Sequence, residues 1–235
     1  MKTATLLVAM ILSVSAFLLP AQASAGTDQE TKILAATEII NNSLVARADA
    51  IPSSILEKAH GVIVIPNVFE IAVGSGGYSS NGVMVVRTED GRWSSPAFVT
   101  LTGTSLKTVS GTKPTDIILL LMGSNSVDAV SSRKTTLGID MAAAPGPVGA
   151  GSEKGARQDL SAEILVYKHS KAEIGGIMME GDSLEIDSRA NADFYGEESI
   201  TAAAIFEEGE LVVPIAAGKF KCALARLTQT GQACV

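Results

Sequence analysis

The sequence predicts an α+β fold: one domain with a largely antiparallel sheet or barrel-like core, N-terminal helices and a C-terminal helix. Three observations lead there. Of the 235 residues, 46% are hydrophobic and 18% charged, a balance that builds a core rather than a disordered chain. Helical spacing of apolar residues marks both ends of the chain, whereas its middle holds short β-branched runs separated by Gly, Pro and Asp-Gly turns. No linker rich in Pro, Gly or Ser divides two cores.

The elements follow in order. Lys2, the uncharged run Ala4–Leu19 and the small-residue triplets Ala21-Gln22-Ala23 and Ala23-Ser24-Ala25 have the three parts of a secretory leader. Residues 1–25 are therefore expected to be removed after Ala23 or Ala25, leaving a periplasmic or secreted protein. A retained anchor fits less well, because the run is short and no cationic stop follows. Residues 26–50 hold the first helix, expected over Asp28–Ala48, with Ile33, Ala36, Ile40 and Leu44 on one face. Pro52 opens a second short helix, Ser53–Ala59.

Beyond Gly61 the period changes. Val62-Ile63-Val64-Ile65, closed by Pro66, reads as a buried strand. Phe69–Val73, Gly82–Arg87, Ala97–Gly103, Asp116–Met122, Glu163–His169 and Ile174–Glu180 read as further strands, with Asp90-Gly91 as a hairpin turn. Ser126–Ser132 is expected as a short helix, Ala142–Gly155 as an irregular loop and Pro214–Leu227 as the closing helix. Cys222 and Cys234, the two cysteines, are expected to be joined in an oxidising compartment.

Charge and motifs exclude more than they assign. A net charge of −7 argues against a general nucleic-acid binder. Gly74-x-Gly76-Gly77 lies between two expected strands with no P-loop lysine after it, so it reads as a turn or a close backbone contact rather than a phosphate loop. His60 and His169 have no metal-ligand spacing and read as structural or surface residues. No nucleophile motif surrounds either Cys or any Ser, and adjacent acids such as Glu207-Glu208 read as a solvated face. No cofactor or metal is implied. Lys107, Lys113, Arg133, Lys134, Lys154 and Arg157 concentrate cations in the central third, where they could form a face for anionic lipid; ordinary solvated charge is the competing reading. The first helix could likewise lie on a membrane or pack on its own domain.

The order of short segments carries a resemblance. Leu56-Glu57-Lys58-Ala59-His60-Gly61-Val62-Ile63-Val64-Ile65-Pro66, Gly74-Ser75-Gly76-Gly77 with Gly82-Val83, Trp93-Ser94-Ser95-Pro96, Asp116-Ile117-Ile118-Leu119-Leu120, Leu137-Gly138-Ile139-Asp140, Ala144-Pro145-Gly146-Pro147-Val148-Gly149 and Asn191-Ala192-Asp193-Phe194-Tyr195-Gly196 together resemble the SYLF family, also called Ysc84 or DUF500. The resemblance spans about residues 45–200, inside an expected domain of residues 51–235. It implies a non-enzymatic lipid-binding module whose partners are acidic phospholipids or a membrane surface. Lys107, Lys113, Arg133 and Lys134 are the candidate headgroup contacts, and the first helix or the Ala142–Gly149 loop the candidate inserting element. An envelope protein partner is the alternative; actin does not suit an exported chain.

Overall fold

The computed structural model describes residues 25–44, 50–68, 77–103, 114–149, 162–170, 173–207 and 214–228. The expected strand Phe69–Val73, the glycines 74–76, Lys107, Lys113, Lys154, Arg157, Cys234 and most of the leader lie outside those residues. The elements are α1 (Ala25–Leu44), α2 (Ser53–Lys58), β1 (Gly61–Val68), β2 (Tyr78–Val86), β3 (Ala97–Gly103), β4 (Thr115–Leu121) and α3 (Ser124–Ser132). After them come β5 (Thr135–Thr136), β6 (Ala143–Pro145), β7 (Ile164–Ser170), β8 (Glu173–Gly176), β9 (Ser183–Ile186), α4 (Ser188–Tyr195), α5 (Ala202–Phe206) and α6 (Ile215–Leu227).

The strands form one sheet in the order β5-β9-β3-β2-β1-β4-β7-β6, with β8 also paired to β7. Every pairing is antiparallel except β6 with β7. β1 lies near the middle, and both its faces are covered: Val62 and Val64 enter one core, Ile63 and Ile65 the other. Burial on both sides is why this strand reads as a continuous apolar run rather than an alternating one. The first core packs against α1, α2, α4 and α6; the second is enclosed by α3, α5 and the sheet's own curvature.

That curvature makes a half-barrel. The edge strands β5 and β6 are linked by a turn in which Gly138, at φ +77°, lets its amide donate to the Met141 carbonyl at 2.8 Å. Residues 177–182 cross from β8 to β9 beside that turn. The Gly181 amide donates to the Leu137 carbonyl at 2.9 Å, and the Leu137 amide donates to the Asp182 carbonyl at 2.7 Å.

The Asp90-Gly91 turn forms where expected. Gly91 has φ +80° and Arg87 bridges to Trp93. Trp93 is fully buried, its indole N–H donating to the Thr228 hydroxyl at 3.0 Å. The Arg87 guanidinium lies 4.4 Å from the centre of that ring and donates to the Ala59 carbonyl at 3.2 Å and the Gly91 carbonyl at 3.1 Å. This residue set ties the hairpin to the end of α2 and to the end of α6.

Three expectations change. The expected irregular loop Ala142–Gly155 is not wholly irregular in its described part: Ala143–Pro145 forms β6 beside β7, and a Cβ on Gly146 would meet the Tyr167 ring. The expected strand Ile174–Glu180 ends at Gly176, where the chain leaves the sheet to cross to β9; Gly176 lies so close to the backbone of Gly146 that a side chain there would strike it. The polar run Ser183–Ile186 is a strand, held between β3 and β5, and two further short helices follow it.

Candidate functional site

The first candidate feature is the seam where the two edges of the half-barrel approach. Arg133, the C-terminal cap of α3, and Lys134 are adjacent and exposed. Thr135 fixes their exit from the helix, its buried hydroxyl donating to the Ala129 carbonyl at 2.9 Å. The following turn is clamped by Asp140, whose carboxylate accepts the Thr136 amide at 2.7 Å while its own amide donates to the Thr136 carbonyl at 2.8 Å. Ile139 stands at the tip and is 74% exposed. On the adjoining crossing segment Ile177 and Met179 point into the core, and Met178 between them is 57% exposed. Two cations and two large apolar side chains therefore share one seam, together with the exposed acids Asp140 and Glu180.

Of the four sequence-predicted cations, the structure places Arg133 and Lys134 side by side; Lys107 and Lys113 lie outside the described residues. Neither expected inserting element is available. On α1, Ile33, Ala36, Ile39 and Ile40 are buried against the sheet and α6, and the Ala142–Gly149 segment is pinned to β7 and Tyr167. Ile139 and Met178 were missed because sequence shows that a residue is apolar but not which side of a turn it occupies. No described helix is long and apolar enough to cross a membrane. Cys222 lies on α6 with its predicted partner Cys234 outside the described residues.

The second feature is an open cleft of about 920 Å³ between α1 and the sheet. Glu38, Ile39 and Asn42 line it from α1, and Asn67, Pro114, Asp116 and His169 from the ends of β1, β4 and β7. Asp116 and His169 are cross-strand partners, which brings the His169 Nδ1 within 2.9 Å of the Asp116 Oδ2. The other Asp116 oxygen accepts the Asn67 amide at 2.9 Å. That amide is aimed by an irregularity in the β1–β4 pairing, where Asn67 adopts φ +51°, left-handed backbone that side-chain-bearing residues seldom take. A carboxylate only accepts, so the imidazole donates to it from Nδ1. His169 is thus structural, as expected, and also part of a cavity wall; His60 is exposed.

The family model Ysc84, described as Las17-binding protein actin regulator, matches residues 102–227, from the end of β3 to the end of α6. LAS seventeen-binding protein 3 of Saccharomyces cerevisiae is 28% identical over 182 residues, covering 76% of this chain and 39% of the relative. SH3 domain-containing YSC84-like protein 1 of Xenopus laevis is 29% identical over 165 residues, 70% of this chain and 49% of its own. The human protein of the same name is 26% identical over 149 residues, 63% of this chain and 43% of its own. The chain thus spans less than half the length of these relatives. With the matched region running through the sheet, the seam and the closing helix, the chain belongs to the Ysc84 family, the SYLF family that its ordered segments resemble.

Proposed function

We propose that this protein is a non-enzymatic lipid-binding module of a bacterial periplasm or envelope, which docks on acidic phospholipid through the seam of its half-barrel. The observation that carries the reading is the joint exposure of Arg133, Lys134, Ile139 and Met178 on that seam. Cations near an anionic surface contribute about 1 kcal/mol each, and apolar side chains beside them reach the acyl boundary. Lys107 and Lys113 are further headgroup contacts in this reading. Asp140 and Glu180 keep their negative charge on the same seam and subtract from the attraction, so the apolar contacts carry a share of the binding.

Vesicle co-sedimentation tests the proposal. The protein is expected to pellet with phosphatidylglycerol-containing vesicles and not with neutral ones, and to release as salt shortens the Debye length. Arg133→Glu with Lys134→Glu should abolish the anionic preference, and Ile139→Ser with Met178→Ser should weaken binding at every salt concentration, with the circular dichroism melt preserved. Binding unchanged in both double variants overturns the seam.

A second reading draws on the family description, Las17-binding protein actin regulator: the module binds a protein partner. For an exported chain that partner is an envelope protein rather than actin. Recovery of a stoichiometric protein from envelope extract, free of lipid, together with no vesicle binding, favours it.

A further inference from the structure

We propose that Asn81-Gly82 is a spontaneous deamidation site, silent while β2 is closed, whose conversion after an opening bars the chain from closing again. The inference stands apart from the lipid reading, because β2 lies inside the sheet and uses none of the seam residues.

The dipeptide is the one Asn-Gly among the 235 residues. Such a pair commonly marks a hairpin turn, yet here it lies within β2, where Asn81 pairs with Thr100 and Gly82 with Val99. Each member has its own reason to be there. A Cβ on Gly82 would strike the Val64 carbonyl oxygen, so the close approach of β1 requires glycine. The Asn81 side-chain amide donates to the Asp187 carboxylate at 2.8 Å and to the Thr100 hydroxyl at 3.0 Å. Asp187 in turn caps α4, its other oxygen accepting the Ala190 amide at 3.0 Å. The tie therefore runs from the sheet to the start of α4.

Their adjacency creates the chemistry. The Gly82 backbone nitrogen, unshielded by a side chain, attacks the Asn81 Cγ. A bond forms between them as the Cγ–Nδ2 bond breaks; the Gly82 proton passes to solvent and ammonia leaves. Water then opens the cyclic imide at one of its two carbonyls, giving aspartate or, with the backbone rerouted through the side chain, isoaspartate. In the closed strand the extended backbone and the two side-chain bonds hold Cγ away from the nitrogen, so the step waits for β2 to leave β3. Conversion replaces a donor by a charged acceptor. Thr100 can turn its hydroxyl toward the new carboxylate, but Asp187 only accepts. Glu185, the cross-strand partner of Thr100, adds a further negative charge on the same face. Isoaspartate instead lengthens the backbone where Gly82 already touches β1. Either product opposes re-pairing.

Peptide mapping by mass spectrometry tests the silence, with the protein held folded or in urea in mildly alkaline buffer. Position 81 should turn to acid in urea and react at least about tenfold more slowly in the folded protein, the ratio reading how seldom β2 opens. Equal rates, or no conversion in urea, overturn the proposal. On dilution from urea the refolded fraction should be depleted of converted chains; converted chains that refold with the wild-type urea midpoint also overturn it. Variants isolate the carboxylates. Asn81→Asp should lower the midpoint or prevent folding. Asn81→Asp with Asp187→Asn restores an amide–carboxylate pair and leaves α4 a good cap, so it should recover the midpoint of Asp187→Asn alone. A double variant as poor as Asn81→Asp overturns the proposal.

Discussion

Tyr167 shows how tightly single residues are constrained beneath the sheet. Its ring occupies the space that a side chain on Gly146 would need, and its buried hydroxyl has no hydrogen-bond partner. Tyr167→Phe removes a desolvated group and should be neutral or stabilising by up to about 1 kcal/mol. Gly146→Ala drives a methyl into the ring and should cost about 1–3 kcal/mol, both measurable by urea denaturation. Burial pushes the phenols of all three tyrosines, Tyr78, Tyr167 and Tyr195, above their ordinary range, and the Asp182 carboxylate adds to this at Tyr78. A raised phenol keeps its proton longer in the folded state. Its contribution is therefore intact below the unfolded value of about 10 and is lost as pH rises beyond it. An alkaline titration followed at the phenolate band should show no ionisation before unfolding, and a smooth early rise would contradict the burial. Residue chemistry was the least legible level in the sequence. Asp116 and His169 are 53 positions apart, and only the register of two strands makes them a pair.

At the scale of elements, local pattern was a good guide wherever burial is continuous or periodic. β1 and β4 announced themselves by uninterrupted Val, Ile and Leu, and α6 by its helical spacing. α1 was legible as a helix but not in its destination, since an apolar stripe looks the same whether it meets lipid or a sheet. Here it meets the sheet: Ile33 and Ile40 are fully buried. Ile33→Ala should destabilise the fold by about 2–4 kcal/mol in a denaturant melt, and a wild-type midpoint would mean that α1 is dispensable. β9 escaped because Ser-Leu-Glu-Ile is short, polar and only one-sided in its burial. β6 escaped because a Pro-containing stretch reads as a loop, yet an edge position tolerates the missing amide.

For the molecule as a whole, composition predicted the α+β class, but the strand order depends on pairings between distant segments that no local signal encodes. β3, for instance, sits between β2 and β9. The C-terminal end carries one more expectation. If Cys222 and Cys234 are joined, thiol titration of the unfolded protein should find free thiols only after reduction. Cys234→Ser should then cost about 2–3 kcal/mol, and free thiol in the untreated protein would refute the bridge. α6 matters for a further reason: it packs against α1, so the first and last described helices close one core together. A ribosome or a translocation channel delivers α1 long before α6. Until the last turn of α6 emerges, the groove that α6 fills is open, so the closing of this core waits on the delivery of α6.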